Sequence, residues 1–196
     1  MKTLVILFAL LPVILCSQEN ASNVLSAEIQ IQTATLPAPE ADKDGAMVYG
    51  YNEEGELVLL REGTNNLVCI SDNPFREGIS VSCYSKRLEP FMARGRELNA
   101  QGKTQDERNE IRGKEIESGK LPMPKEPSML YVFFGSEEDY DKTTGALPNG
   151  KFRYVIYTPF ATTESTGLPD KPHAPGMPWL MDPGTHRAHI MVGPFN

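Results

Sequence analysis

Three features are scarce in this sequence: basic residues, long apolar runs and known catalytic signatures. Lys and Arg number 19 against 26 Asp and Glu, for a formal net charge of -7, and the basic residues are interleaved with acidic ones. Binding to a phosphate backbone needs a basic surplus, so we expect no nucleic-acid partner. The chain has no Walker loop, dinucleotide-binding fingerprint, His-Glu-x-x-His pair or Gly-x-Ser-x-Gly elbow. The sequence therefore indicates no enzyme class and no cofactor, and enzyme activity stays an open question.

The longest uncharged apolar run is short and lies at the N-terminus. It covers residues 4–15, follows Lys2 and contains Pro12. A helix rises about 1.5 Å per residue, so these residues fall far short of a hydrocarbon core of roughly 30 Å. One positive charge followed by a short apolar stretch is typical of a secretory signal peptide. We expect residues 1–17 to be a cleavable signal and the mature protein to be secreted or periplasmic.

Cys16, directly after this run, suggests an alternative N-terminal processing. A lipid-modified cysteine would anchor the protein to a membrane through acyl chains. Leu15 argues against this alternative, since a small residue normally precedes a lipidated cysteine. We expect membrane attachment only if Cys16 is lipidated.

Two further cysteines, Cys69 and Cys83, lie in two runs rich in β-forming residues, 66–71 and 79–84. If these runs pair as an antiparallel hairpin centred near residues 75 and 76, Cys69 faces Ser82 or Cys83. Directly opposed Cα atoms lie close enough for a disulfide, which an oxidising compartment would preserve. The alternative is two buried free thiols packed as small hydrophobic groups.

The composition divides the remaining chain into a linker and one domain. Residues 18–45 are small and polar, so we predict a flexible linker, with a short strand at 27–32 as an option. Residues 46–196 predict a single α+β domain, because runs in which apolar residues alternate with others, as in strands, precede two helical segments and further strands. We expect an antiparallel β-meander with two helices inserted and a long Pro/Gly-rich loop before the C-terminal strand. The helices should run from Pro90 to Gly102 and from the Thr104 capping box to near Gly119.

The long loop, residues 159–185, is the segment that we expect to carry function. It holds six prolines and three glycines, and it includes Trp179, the only tryptophan of the chain. A structureless connection of this length is uncommon in a compact domain unless it is functional or disordered. Small-ligand sites combine an aromatic group with a few polar ones, so we predict a binding module for a small molecule or a protein.

All three histidines, His173, His186 and His189, lie in or beside this loop. Imidazole titrates near neutral pH and binds transition metals, and Asp182 and Arg187 are close in sequence. One hypothesis is ligand binding by Trp179, Asp182, His186, Arg187 and His189. The alternative is a His-dependent, metal-assisted hydrolase, with His186 and His189 as weak metal-ligand candidates. Structural roles for the histidines, and pairing of Arg187 with Asp182 inside the fold, are also open.

The segments 159–162, 164–167 and 178–191, the last reading PWLMDPGTHRAHIM, are similar to uncharacterised secreted bacterial proteins. The region 49–98 carries the same resemblance, which then covers most of the mature domain. It implies export and attaches no activity to any residue.

Overall fold

The computed structural model describes residues 24–195, which form one open, mostly antiparallel sheet with helices. The predicted signal peptide, Cys16 and the first part of the predicted linker lie outside the described residues. The strands are β1 Met47–Tyr51, β2 Leu57–Arg61, β3 Leu67–Ile70, β4 Ile79–Ser85, β5 Ser128–Gly135, β6 Lys151–Tyr157, β7 Trp179–Met181 and β8 His189–Phe195. The helices are α1 Ala27–Ala34, α2 Glu89–Ala100, α3 Gln105–Glu117 and α4 Thr163–Thr166. The α+β class predicted from the sequence is confirmed.

The strand order is β2-β1-β3-β4-β5-β6-β8-β7, which corrects the predicted meander. β1 lies between β2 and β3, and it pairs with β3 in parallel. The reason is burial: Val48, Cys69 and Cys83 belong to one buried cluster, so β1 must lie next to β3. β2 contains no buried residue and therefore takes the edge of the sheet.

The predicted cysteine hairpin is confirmed. Cys69 faces Cys83 across β3 and β4, with their Cα atoms 4.0 Å apart, and the two form a disulfide. Both residues are fully buried, and the Cys83 Sγ lies 3.2 Å from the carbonyl oxygen of Ala34 on α1. The disulfide therefore lies in the core beneath α1.

Within the described part of residues 18–45, the linker and strand predictions are wrong, because residues 27–34 form helix α1. Ser26 caps the helix, and Ala34 and Ala38 are buried against the sheet. The Gln30 amide pairs with the backbone of Tyr51 on β1. Gly50 makes this approach feasible, since a Cβ there would collide with the Gln30 Oε1 and Leu60. Small side chains, which indicated a linker in the sequence, instead let the helix pack closely on the sheet.

Helices α2 and α3, both predicted, cover the opposite face of the sheet. Side chains alternate along a strand, so Tyr84 points away from Cys83 and packs with Val68, Leu88 and Met92. Pro90 lies in the first turn of α2, and Thr104 forms the predicted capping box with Glu107. The sheet is thus covered by α1 on one face and by α2 and α3 on the other.

The long loop contains more regular structure than the sequence suggested. α4 is a single turn within it, and β7 pairs with β8 at the edge of the sheet, with Trp179 opposite Met191. Across residues 24–195, no helix has the length and apolar character needed to span a membrane.

Candidate functional site

The predicted site residues fall into one cluster and two outlying positions. Asp182, His186, Arg187 and His189 lie between the end of β7 and the start of β8. Trp179 begins β7 and does not line the cavity beside this cluster. His173 is exposed in the loop. The three histidines therefore do not converge on one point.

Arg187 and Asp182 form the central ion pair of the cluster. The Arg187 guanidinium donates to the Asp182 carboxylate at 2.6 Å, and both side chains are about 30% exposed. His189 lies beside this pair: its Nδ1 is 2.7 Å from the Arg187 carbonyl oxygen, and its ring lies 5.4 Å from the Tyr157 ring. The Asp182 carboxylate thus orients Arg187 rather than an imidazole.

His186 is held between α2 and α3. Its ring lies 5.9 Å from the Phe91 ring and packs against Gly113, where a Cβ would come within 3.1 Å of the imidazole. Burial lowers the pKa of His186, and the positive charges of Arg187 and Arg112 lower it further. These effects favour the uncharged form of the imidazole.

A metal centre at these histidines has no geometric support. Within the part of the chain that the structure describes, no group of three or more His, Cys, Asp or Glu residues could hold a metal ion. A catalytic zinc site usually needs three protein ligands. His186 and His189 have no third ligand in the described residues.

A cavity of about 550 Å³ lies between α3 and the segment after β7. Phe160, His186 and Arg187 line one side, and Gly113 and Lys114 of α3 line the other. Glu110, Glu117, Asn109, Ile116, Gly184 and Thr185 complete the wall. We call this space the C-terminal cavity.

Backbone strain is concentrated where the segment of Phe160 meets the connection between β7 and β8. Within residues 24–195, Phe160 (φ 65°) and Asp182 (φ 52°) are the two non-glycine residues with positive φ. Such a conformation costs an L-amino acid roughly 1–2 kcal/mol. Two backbone hydrogen bonds hold the strained segments together, from the Phe160 N–H to Thr185 at 2.8 Å and from the Gly184 N–H to Ala161 at 2.7 Å.

Two unpaired buried polar atoms lie in the same two segments, one two residues before Phe160 and one in the β7–β8 connection. Three buried side-chain atoms have no hydrogen-bond partner among the described residues, and two of them are the Thr158 Oγ1 and the His186 Nε2. Buried polar groups are nearly always paired, so each exception needs an explanation. Strain and unpaired groups together mark this junction as a functional candidate.

The sequence reasoning missed a second cavity, of about 310 Å³, beside the β3–β4 connection. Its most perturbed group is Asp72, whose pKa burial raises to about 6. The sequence showed residues 72–78 only as a turn. The cavity could not be predicted because its far wall comes from α1 and from residues 137–142, which are distant in sequence.

Comparisons with family models, with curated proteins and with solved structures found no match to this chain.

Proposed function

We propose that this protein is an exported binding module that holds a small organic ligand in the C-terminal cavity. The observation that carries the proposal is that one cavity is lined both by Phe160, which has a positive φ, and by His186, whose Nε2 is buried and unpaired. The second positive-φ residue, Asp182, lies two residues from Gly184 of the lining, and the second unpaired atom, Thr158 Oγ1, lies two residues from Phe160. Folded proteins keep such unfavourable features where function requires them.

The lining residues support a ligand that carries acceptor oxygens, such as a carboxylate. Arg187 is fixed by Asp182 through one of its nitrogens, which leaves further guanidinium donors for a ligand. The Lys114 ammonium group is already paired with Glu110 at 2.6 Å, so Arg187 is the main donor to an anionic ligand. Phe160, which is 54% exposed, offers an apolar surface. A fixed guanidinium beside an aromatic ring suits a small organic acid.

Two observations support export. A buried disulfide persists in oxidising compartments, and the N-terminal run has the layout of a secretory signal. The hydrolase alternative has less support, because Asp182 pairs with Arg187 and not with an imidazole.

The proposal is tested by screening a library of small carboxylic acids by ligand-detected NMR and by titrating the hits calorimetrically. Phe160→Ala and the paired variant Asp182→Asn/Arg187→Gln should each weaken binding about tenfold or more. Asparagine tolerates the positive φ of position 182, so the paired variant should stay folded. Phe75→Ala is the matched control, because Phe75 is also exposed and does not line this cavity. A hit that binds all three variants equally well would place its site elsewhere and contradict the proposal.

A further inference from the structure

The cavity beside the β3–β4 connection, which we call the Asp72 cavity, is walled by three separate parts of the chain. Val24, Leu25 and Gln30 come from the start of α1 and the residues before it. Residues 71–79 supply a second wall, and Glu137, Tyr140 and Lys142 supply the third. Its volume of about 310 Å³ is at the lower end of small-ligand sites, roughly 300–1,000 Å³.

The cavity carries two negative and two positive side chains: Asp72, Glu137, Arg76 and Lys142. None of these four takes part in the ion pairs within 4.0 Å that the described residues form. The charges surround one space without neutralising each other directly. Each is therefore free to pair with a charge on a ligand.

Two uncharged polar groups of the wall, on Gln30 and Tyr140, are already used within the fold. The Gln30 amide donates to the carbonyl oxygens of Leu25 and Tyr51 and accepts from the Tyr51 N–H. The Tyr140 hydroxyl lies 2.6 Å from the Thr33 Oγ1. The remaining capacity for ligand contacts rests mainly with the four charged side chains.

Asp72 is positioned to receive a positive group. Its Oδ1 accepts from the Ser80 N–H at 2.8 Å, which fixes the carboxylate. Burial raises its pKa to about 6, and the nearby charge of Glu137 adds to the increase. A ligand ammonium group would offset both the burial and the repulsion.

The charge pattern selects among ligand classes. A simple cation would leave Arg76 and Lys142 unpaired, and a simple anion would meet Asp72 and Glu137. A molecule that carries both charges satisfies all four groups. We infer that the Asp72 cavity binds a small zwitterion, a free amino acid or a dipeptide, with its ammonium group at Asp72 and Glu137 and its carboxylate at Arg76 and Lys142.

The test is calorimetric titration at pH 7.5 with free amino acids and dipeptides, followed by the N-acetyl and C-terminal amide derivatives of each ligand that binds. Removal of either ligand charge should weaken binding about tenfold or more. Asp72→Asn should weaken it to a similar extent while still accepting from the Ser80 N–H. Asp44→Asn is the matched control, since Asp44 is exposed and does not line the cavity.

Several outcomes would overturn the inference. Absence of binding by any amino acid or dipeptide at millimolar concentration would do so, as would equal binding of charged and capped ligands. If Asp72→Asn unfolds the protein, Glu137→Gln, an exposed position, serves instead, and unchanged affinity would contradict the assignment. The Asp182→Asn/Arg187→Gln variant should bind the zwitterion normally, so failure at this cavity and failure at the C-terminal cavity are distinguishable.

Discussion

Replacement of Gln30 by Leu should destabilise the protein substantially, because this side chain ties α1 to the sheet. Its amide nitrogen donates to the carbonyl oxygens of Leu25 at 2.8 Å and of Tyr51 at 2.9 Å. Its Oε1 accepts from the Tyr51 N–H at 2.7 Å. Gln30 is only 6% exposed, so water does not readily replace these partners.

The size of the effect follows from those three hydrogen bonds. Each is worth about 0.5–1.5 kcal/mol net, and a stranded buried backbone group adds about 1–3 kcal/mol. The apolar surface of the leucine offsets part of the loss. We expect the free energy of unfolding to fall by about 2–4 kcal/mol.

The assay is urea unfolding, followed by Trp179 fluorescence and by far-UV circular dichroism so that two-state behaviour can be checked. Gln32→Leu is the matched control, because Gln32 is exposed on the same helix and the chemical change is identical. That variant should change stability by less than about 0.5 kcal/mol. If Gln30→Leu lowers stability no more than the control does, α1 is not an integral part of the domain and the reasoning is refuted.

Two further predictions concern the β3–β4 hairpin and its turn. The double variant Cys69→Ala/Cys83→Ala should have a free energy of unfolding about 3 kcal/mol lower in urea, because the disulfide joins residues 14 apart and restricts the unfolded chain. A decrease below about 1 kcal/mol would contradict this account. The pKa of Asp72 rises from its ordinary value of 3.8 to about 6 on folding, so the folded protein binds the Asp72 proton more tightly than the unfolded chain does. The free energy of unfolding should therefore fall as the pH rises from about 4 to about 6. The titratable groups that interact with this carboxyl are Glu137, Tyr51 and Tyr140. Asp72→Asn should remove this part of the pH dependence of the unfolding midpoint, and an identical slope in both proteins would argue against it.

The elements that sequence reasoning predicted well are those defined by local contacts. The capping box of Thr104 and Glu107 lies within one helical turn, and Pro90 marks the start of α2 by its own geometry. Symmetry about a single turn placed Cys69 opposite Ser82 or Cys83, and the structure shows Cys83. In each case the relevant residues are near one another in the chain.

The candidate site was predicted in part. The sequence drew attention to Asp182, His186, Arg187 and His189 because unusual residues were crowded into a short segment. It did not show that α3 faces this segment across a cavity or that Phe160 lines the same cavity. It also did not show that Trp179 lies outside the lining. It also gave no sign of the Asp72 cavity, because that cavity depends on α1.

The sequence by itself determined the α+β class and the two inserted helices, and it narrowed the cross-strand partner of Cys69 to Ser82 or Cys83. Each of these results depends on periodicity, capping or turn symmetry over short distances. The tertiary structure decided the remainder. β1 lies beside β3 because Val48 and the two cysteines belong to one buried cluster. The polar segment that contains Gln30 forms helix α1, which is held to the sheet by the hydrogen bonds between the Gln30 amide and the backbone of Tyr51. Both features depend on contacts between residues far apart in the chain, and local sequence patterns carry no information about such contacts.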